Sequence, residues 1–295
     1  MKEFNTTGVC YSELHYMMDN SHKISNIMNL IERGKYFTLN RPRQYGKTTT
    51  LRFLVERLEK SEIYFPVALN FQGIDREAHE SDNAFAQMFV NQLFDFFEFP
   101  YPKIADFIKQ HQKTIENLDH LSKFITRLVL QFNKKLVLFI DEVDASSNYD
   151  AFLSFLGVLR TKYLARMTPQ HPTFHGIVLV GVHDIKSLKF KLRNPHDAQT
   201  NSPWNIAVDF KVEMSFNPKE IAPMLEQYSE AEDVSMNTPA IAERLYYHTA
   251  GYPFLVSRLC KIVAEEILPK REVKTEWTLQ EIEEAVQILL LENNT

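Results

Sequence analysis

The chain has 295 residues, enough for two domains, and its 44% hydrophobic and 24% charged content is that of a globular protein, not a disordered, collagenous or coiled-coil one. Net charge is 33 − 38 = −5, so any contact with nucleic acid has to come from a local patch. Two cysteines, Cys10 and Cys260, make no disulfide framework, the N-terminus has no apolar signal core, and the longest apolar runs fall far short of the roughly 20 residues of a membrane span; a soluble cytoplasmic protein is expected.

Residues 22–33 carry Ile24, Ile27, Met28, Leu30 and Ile31 at helical spacing, and Gly34 follows as a stop. KYFTLN (35–40) alternates like a strand and runs into RPRQYGKTTT; helical periodicity resumes over 47–60. IYFPVALNF (63–71) reads as a second strand, followed by helices over 83–97, 103–117 and 120–132. KKLVLFIDEVD (134–144) is a continuous apolar run, as in a strand buried on both faces. A helix over 149–166 leads to a second such strand, GIVLVGV (176–182). Residues 183–205 read as an irregular insertion and NIAVDFKVEM (205–214) as a fifth strand. From Asn217 the pattern is helical, over about 218–229, 238–249, 253–267 and 278–291. Strands alternating with helices imply an α/β fold with a parallel sheet. The boundary falls near Phe216–Pro218, giving an α/β core over 1–216 and an all-helical domain over 217–295.

The chain has only eight glycines, so some stand where a side chain would obstruct. Gly46 is one. A strand, then RPRQYGKTT, then a helix is the setting of a phosphate-binding loop, G-x-x-x-x-G-K-[ST]. Gly46, Lys47 and Thr48 match; Arg41 stands where the first glycine is usual. The backbone of Arg43, Gln44, Tyr45 and Gly46 and the helix start at Thr49 can cradle phosphates. Lys47 can reach the β- and γ-phosphates, and the Thr48 hydroxyl can ligate Mg²⁺. The bland alternative is a helix start with an incidental Gly-Lys-Thr.

LVLFIDE supplies the second half of the signal, a Walker B strand. Asp141 at its end can hold Mg²⁺ through water, and Glu142 can polarise an attacking water. In open parallel sheets ligands bind at the strand C-termini, where both motifs fall.

With these residues in place, KYFTLNRPRQYGKTTTL, LVLFIDEVD, NSPWNIAVDF and TAGYPFLV resemble the bacterial AAA-like ATPases, P-loop NTPases near the STAND signalling ATPases and the archaeal ATPase and origin-initiator group of AAA+ proteins. The resemblance runs from about Phe4 to Leu291. It makes the R-P-R-x-x-G-K-[ST] start a family trait. It implies a three-layer P-loop core with a lid, all-helical or winged-helix-like, that closes on ATP or ADP with Mg²⁺. His15 and Tyr16 become candidate base contacts, with core packing the equal alternative. Gly251-Tyr252-Pro253 matches a lid motif whose proline packs on adenine, with residues 215–218 as the hinge; a plain helix junction is the alternative. His183 stands at a sensor position usually held by Asn or Thr. Arg160 is the best-placed candidate arginine finger, with Arg166 and Arg193 behind it. The basic stretch Lys186–Arg193 is a candidate DNA or partner contact, read more simply as a solvated amphipathic segment.

The functional expectation is an ATPase coupling Mg-ATP binding and hydrolysis to a conformational change. The alternative is a switch that hardly turns over and recruits protein or DNA; assembly into a homo-oligomer fits either.

Overall fold

The computed structural model describes residues 2–147, 149–168, 171–182, 206–208, 213–271 and 276–292. Its contacts divide the chain into two compact units, one made of Ile27–Pro42 and Phe53–Lys211, the other of Met1–Asn26, Arg43–Arg52 and Val212–Thr295. The N-terminal segment and the loop after the first strand therefore group with the C-terminal helices.

The first unit is built on four parallel strands, β1 (Tyr36–Asn40), β2 (Tyr64–Asn70), β3 (Lys135–Asp141) and β4 (Gly176–Gly181), in the order β1-β4-β3-β2. The expected parallel α/β sheet is what forms. β3 and β4 read as unbroken apolar runs because both faces are covered: every residue of β4 and all but Lys135 of β3 is buried. Leu136, Leu138 and Ile140 turn one face of β3 into a core shared with helices α3 (Asp82–Glu98), α5 (Leu118–Val129) and α6 (Asp150–Ala165). Phe155 on α6 packs its ring 5.2 Å from Phe85 and 4.8 Å from Phe89 on α3.

Local sequence sets the helix ends. The Ser81 hydroxyl accepts from Ala84 N–H and starts α3. The Asn117 side chain accepts from His120 N–H, so α5 begins at Leu118, two residues before the periodicity suggested. Helix α4 (Pro102–Gln112) ends five residues earlier than expected. Of the expected fifth strand residues 206–208 and 213–214 are described; Val208 donates its N–H to Tyr36 O at 2.9 Å in a parallel bridge beside β1.

The second unit is helical: α7 (Pro218–Glu232), α8 (Thr238–Thr249), α9 (Pro253–Ile262) and α10 (Leu279–Glu292), with two-residue strands β5 (Ser235–Met236) and β6 (Glu276–Trp277) paired in parallel. Helix α7 starts on a full capping box: Asn217 accepts from Glu220 N–H, and Glu220 accepts from Asn217 N–H. The helix expected over 253–267 is α-helical only to Ile262, then widens into a π-helical turn over Val263–Ile267. The core of this unit includes the N-terminal segment. Phe4 lies 4.9 Å from Tyr16 and 5.1 Å from Tyr228, and meets Trp277 edge-on. Lys23, 1% exposed, pairs with Glu220 at 2.9 Å and caps the Phe216 ring at 3.9 Å.

Candidate functional site

Strand β1 ends at Asn40, and helix α2 (Lys47–Glu59) begins seven residues later; Thr50 N–H bonded to Gly46 O at 2.8 Å closes its first turn. Between them Gln44 sits at φ 61° and Gly46 at φ 70°. Left-handed residues alternating with right-handed ones turn successive N–H groups to one side, the geometry of an anion nest. A Cβ at Gly46 would meet no protein atom within 4 Å, so the torsion, not crowding, asks for glycine there. Gln44 takes the same region at a cost. Lys47 and Thr49 are buried, while Thr48 is exposed.

Neighbours in the same unit hold this loop. Tyr252 donates its hydroxyl to Arg43 O (3.0 Å) and to Gln44 Oε1 (3.2 Å), and its ring lies 4.7 Å from Tyr45. Donation to the Arg43 carbonyl fixes one peptide plane of the loop from outside. Cys10 N–H donates to Thr49 Oγ1 at 3.1 Å, and the Arg52 guanidinium stacks 4.5 Å over the Tyr11 ring. The Thr49 hydroxyl, a candidate ligand contact by sequence, thus has a protein partner.

Tyr252 is placed by its neighbours. Helix α8 ends in Ala250 at φ 48° and Gly251 at φ 72°. Phe216 N–H donates to Gly251 O at 2.9 Å, and a Cβ on Gly251 would lie 2.0 Å from Phe216 O. Only glycine fits there. Pro253, buried, opens α9 at its first position.

In the first unit β3 ends at Asp141, 4% exposed, whose carbonyl accepts from Phe71 N–H at 2.9 Å and whose Oδ1 accepts from Glu142 N–H at 2.9 Å. Glu142 stands half-buried at φ 56°, ψ 38°, a left-handed conformation for a non-glycine residue at a strand end. Asp144, which the sequence reading left without a role, accepts from Val182 N–H; a Cβ on Gly181 would stand 2.7 Å from its Oδ2. It fixes the end of β4. Because β1, β4 and β3 are parallel neighbours, Asn40 and Asp141 end on the same edge of the sheet, roughly 10 Å apart with one strand between.

The other candidates fall elsewhere. Tyr16 is packed in the aromatic core of the helical unit and donates its hydroxyl to Glu232 at 3.1 Å; burial pushes its phenol up to about 12. His15 is buried and accepts from Tyr11 N–H at 2.8 Å. Both line a pocket with Phe4, Tyr228 and Glu232, none of it from the phosphate-type loop. Arg160 is half-buried ten residues into α6, about 15 Å along its axis. Arg166 donates to Gly34 O at 2.6 Å. His183, Arg193 and the basic stretch between them lie outside the described residues. Among the described residues no three His, Cys, Asp or Glu side chains gather as a metal site, and no helix is long and apolar enough to cross a membrane.

The AAA-like domain family matches residues 7–284. No curated protein matches the chain. Among solved structures, the Walker-type ATPase PABY2304 of Pyrococcus abyssi is similar at TM-score 0.58 and 12% identity, over 99% of this chain and 77% of that one. The ORC2 protein of Aeropyrum pernix in its ADP form is similar at TM-score 0.54 and 15% identity, over 96% and 71%. At such identities the likeness concerns the fold, a P-loop ATPase fold. With almost its whole length covered by one family and the strand, loop and sheet order in place, the chain belongs to the AAA-like family.

Proposed function

We propose that this protein binds and hydrolyses Mg-ATP and uses the nucleotide to change how its helical unit is held. The observation that carries the reading is the pair of left-handed elements at strand ends: Gln44 and Gly46 before Lys47, and Glu142 beside Asp141. Strain of this kind persists where surrounding structure enforces it, and it clusters at functional positions.

In this reading the N–H groups of Arg43–Gly46 and the start of α2 hold the phosphates, with Lys47 meeting the β- and γ-oxygens. Thr48 and Asp141 offer hard oxygen donors suited to Mg²⁺, which keeps most of its shell as water and phosphate oxygen. The metal would neutralise charge on the phosphates. Glu142, aimed by its own strained backbone, takes the proton of the attacking water. The base is met by the helical unit around Gly251–Pro253, with His15 and Tyr16 as the weaker candidates. Arg160 as a finger would serve a neighbouring copy. ADP and the analogue ADPNP in solved forms of Aeropyrum ORC2 support the choice of an adenine nucleotide. Tyr252, which ties the α8–α9 turn to the loop inside one unit, keeps the low-turnover switch as a second reading.

The test pairs two variants. Lys47→Ala should weaken ATP in calorimetry by at least tenfold. Glu142→Gln should bind ATP like wild type and lose roughly 10²–10⁴-fold in phosphate release, the range for a lost general base. Equal ATP affinity in Lys47→Ala would remove the loop from the reading. Wild-type binding without turnover would leave the switch.

A further inference from the structure

A second concavity lies at the opposite edge of the sheet, where the strands begin. It is a cleft of about 570 Å³. Helices α1 (Ser21–Glu32), α5 and α6 all end at this edge, and β3 and β4 start there. Parallel strands about 20 Å long separate it from the edge carrying Asp141.

Its walls are apolar and its rim is basic. Val129, Phe132, Leu136 and Phe174 form the inner surface, while Leu130 and Met167 stand at the mouth 66% and 86% exposed. Arg33, Lys134, Lys135 and Arg166 line the rim against a single carboxylate, Glu32. None of the four cations pairs with a carboxylate among the described residues; Arg166 and Lys134 donate instead to the carbonyls of Gly34 and Ser61.

Cations near helix C-termini have an ordinary task, offsetting the partial negative charge of the last carbonyls. Here three helix ends supply about −1.5 in total. Four cations less Glu32 leave +3, so about +1.5 remains after that task is met. Burial first, then the charges of Lys135 and Arg166, hold the imidazole of His175 below its usual range. The chain as a whole is negative, so this patch runs against the overall charge.

We propose that this cleft is the docking site of a partner's acidic peptide segment bearing large apolar side chains. An aliphatic or aromatic side chain would fill the inner surface and cover Leu130 and Met167, and neighbouring carboxylates would meet Arg33 and Lys135, both exposed. The proposal does not depend on the nucleotide reading, since no residue of either strand-end motif lines the cleft.

The test is fluorescence anisotropy on the full chain with a labelled peptide alternating glutamate and leucine. Its lysine-for-glutamate counterpart and a labelled oligonucleotide are the controls. Wild type should bind the acidic peptide saturably, less well as salt rises. The double variant Arg33→Glu, Lys135→Glu should bind at least tenfold more weakly, and Met167→Ser should weaken binding at unchanged charge on the rim. Both variants change exposed positions, and unaltered thermal melts would establish that they fold. Absence of saturable binding by wild type overturns the proposal, as does equal affinity in the double variant. Tighter binding of the oligonucleotide, indifferent to Met167→Ser, would assign the patch to nucleic acid instead. Self-association in sedimentation that the double variant abolishes would assign it to a second copy of the chain.

Discussion

At the scale of single residues, two positions carry sharp expectations. Lys162 is buried between α5 and α6, and among the described residues its Nζ finds only the Thr126 hydroxyl, at 2.6 Å. Burial pulls its ammonium from 10.5 down to about 8. A cation whose folded pKa is depressed costs stability below that value, and the cost fades as pH rises from about 8 to 10.5, where both states lose the proton. Lys162→Met should therefore melt several degrees higher than wild type at pH 7, from a gain of about 2 kcal/mol, and the gap should narrow by pH 10. An unchanged melting temperature at pH 7 would mean the ammonium reaches water. Gly251 is the opposite case. Gly251→Ala puts a methyl 2.0 Å from Phe216 O at a positive φ, at a cost on the order of 3 kcal/mol. A variant melting like wild type would show that the α8–α9 junction can relax.

At the scale of elements, the turn between α8 and α9 is more than a junction, because its middle residue reaches the phosphate-type loop. Tyr252→Phe keeps the ring on Tyr45 and removes both hydrogen bonds. At about 0.5–1.5 kcal/mol for a net hydrogen bond, ATP affinity should fall roughly three- to tenfold in calorimetry. Unchanged affinity would mean that the loop holds its own shape. The same contacts bear on the hinge expected at residues 215–218. Phe216 is tied to Gly251, Asn217 and Glu220 cap α7, and Lys23 is paired to Glu220. A swivel at those residues would break all of these, so the flexing point is better sought before Phe216. What the sequence made legible was local: the Gly46-Lys47 start of α2 and the Asp141-Glu142 exit of β3 are contiguous patterns. Tyr252 with Arg43, Cys10 with Thr49 and Asp144 with Val182 lie 209, 39 and 38 residues apart and repeat with no period. Glu142's backbone was also hidden, because only glycine advertises a positive φ.

At the scale of the molecule, the two units differ in how they are assembled. The sheet unit draws on one stretch after Phe53 plus β1, whereas the helical unit collects three separate stretches. Phe4→Ala should cost about 3–5 kcal/mol, as for a buried ring, and lower hydrogen-exchange protection in α7–α10 while β3 and β4 keep theirs. Equal loss in both units would mean that they unfold together. The three-part build also imposes an order on synthesis. Phe4 and Tyr16 find their core partners at Tyr228 and Trp277, more than two hundred residues downstream. At about 5–20 residues per second, Phe4 emerges roughly 10–45 seconds before Tyr228 exists. During that interval the sheet unit can complete itself, while the opening segment stays greasy and unsheltered. That stretch of nascent chain has use for a chaperone.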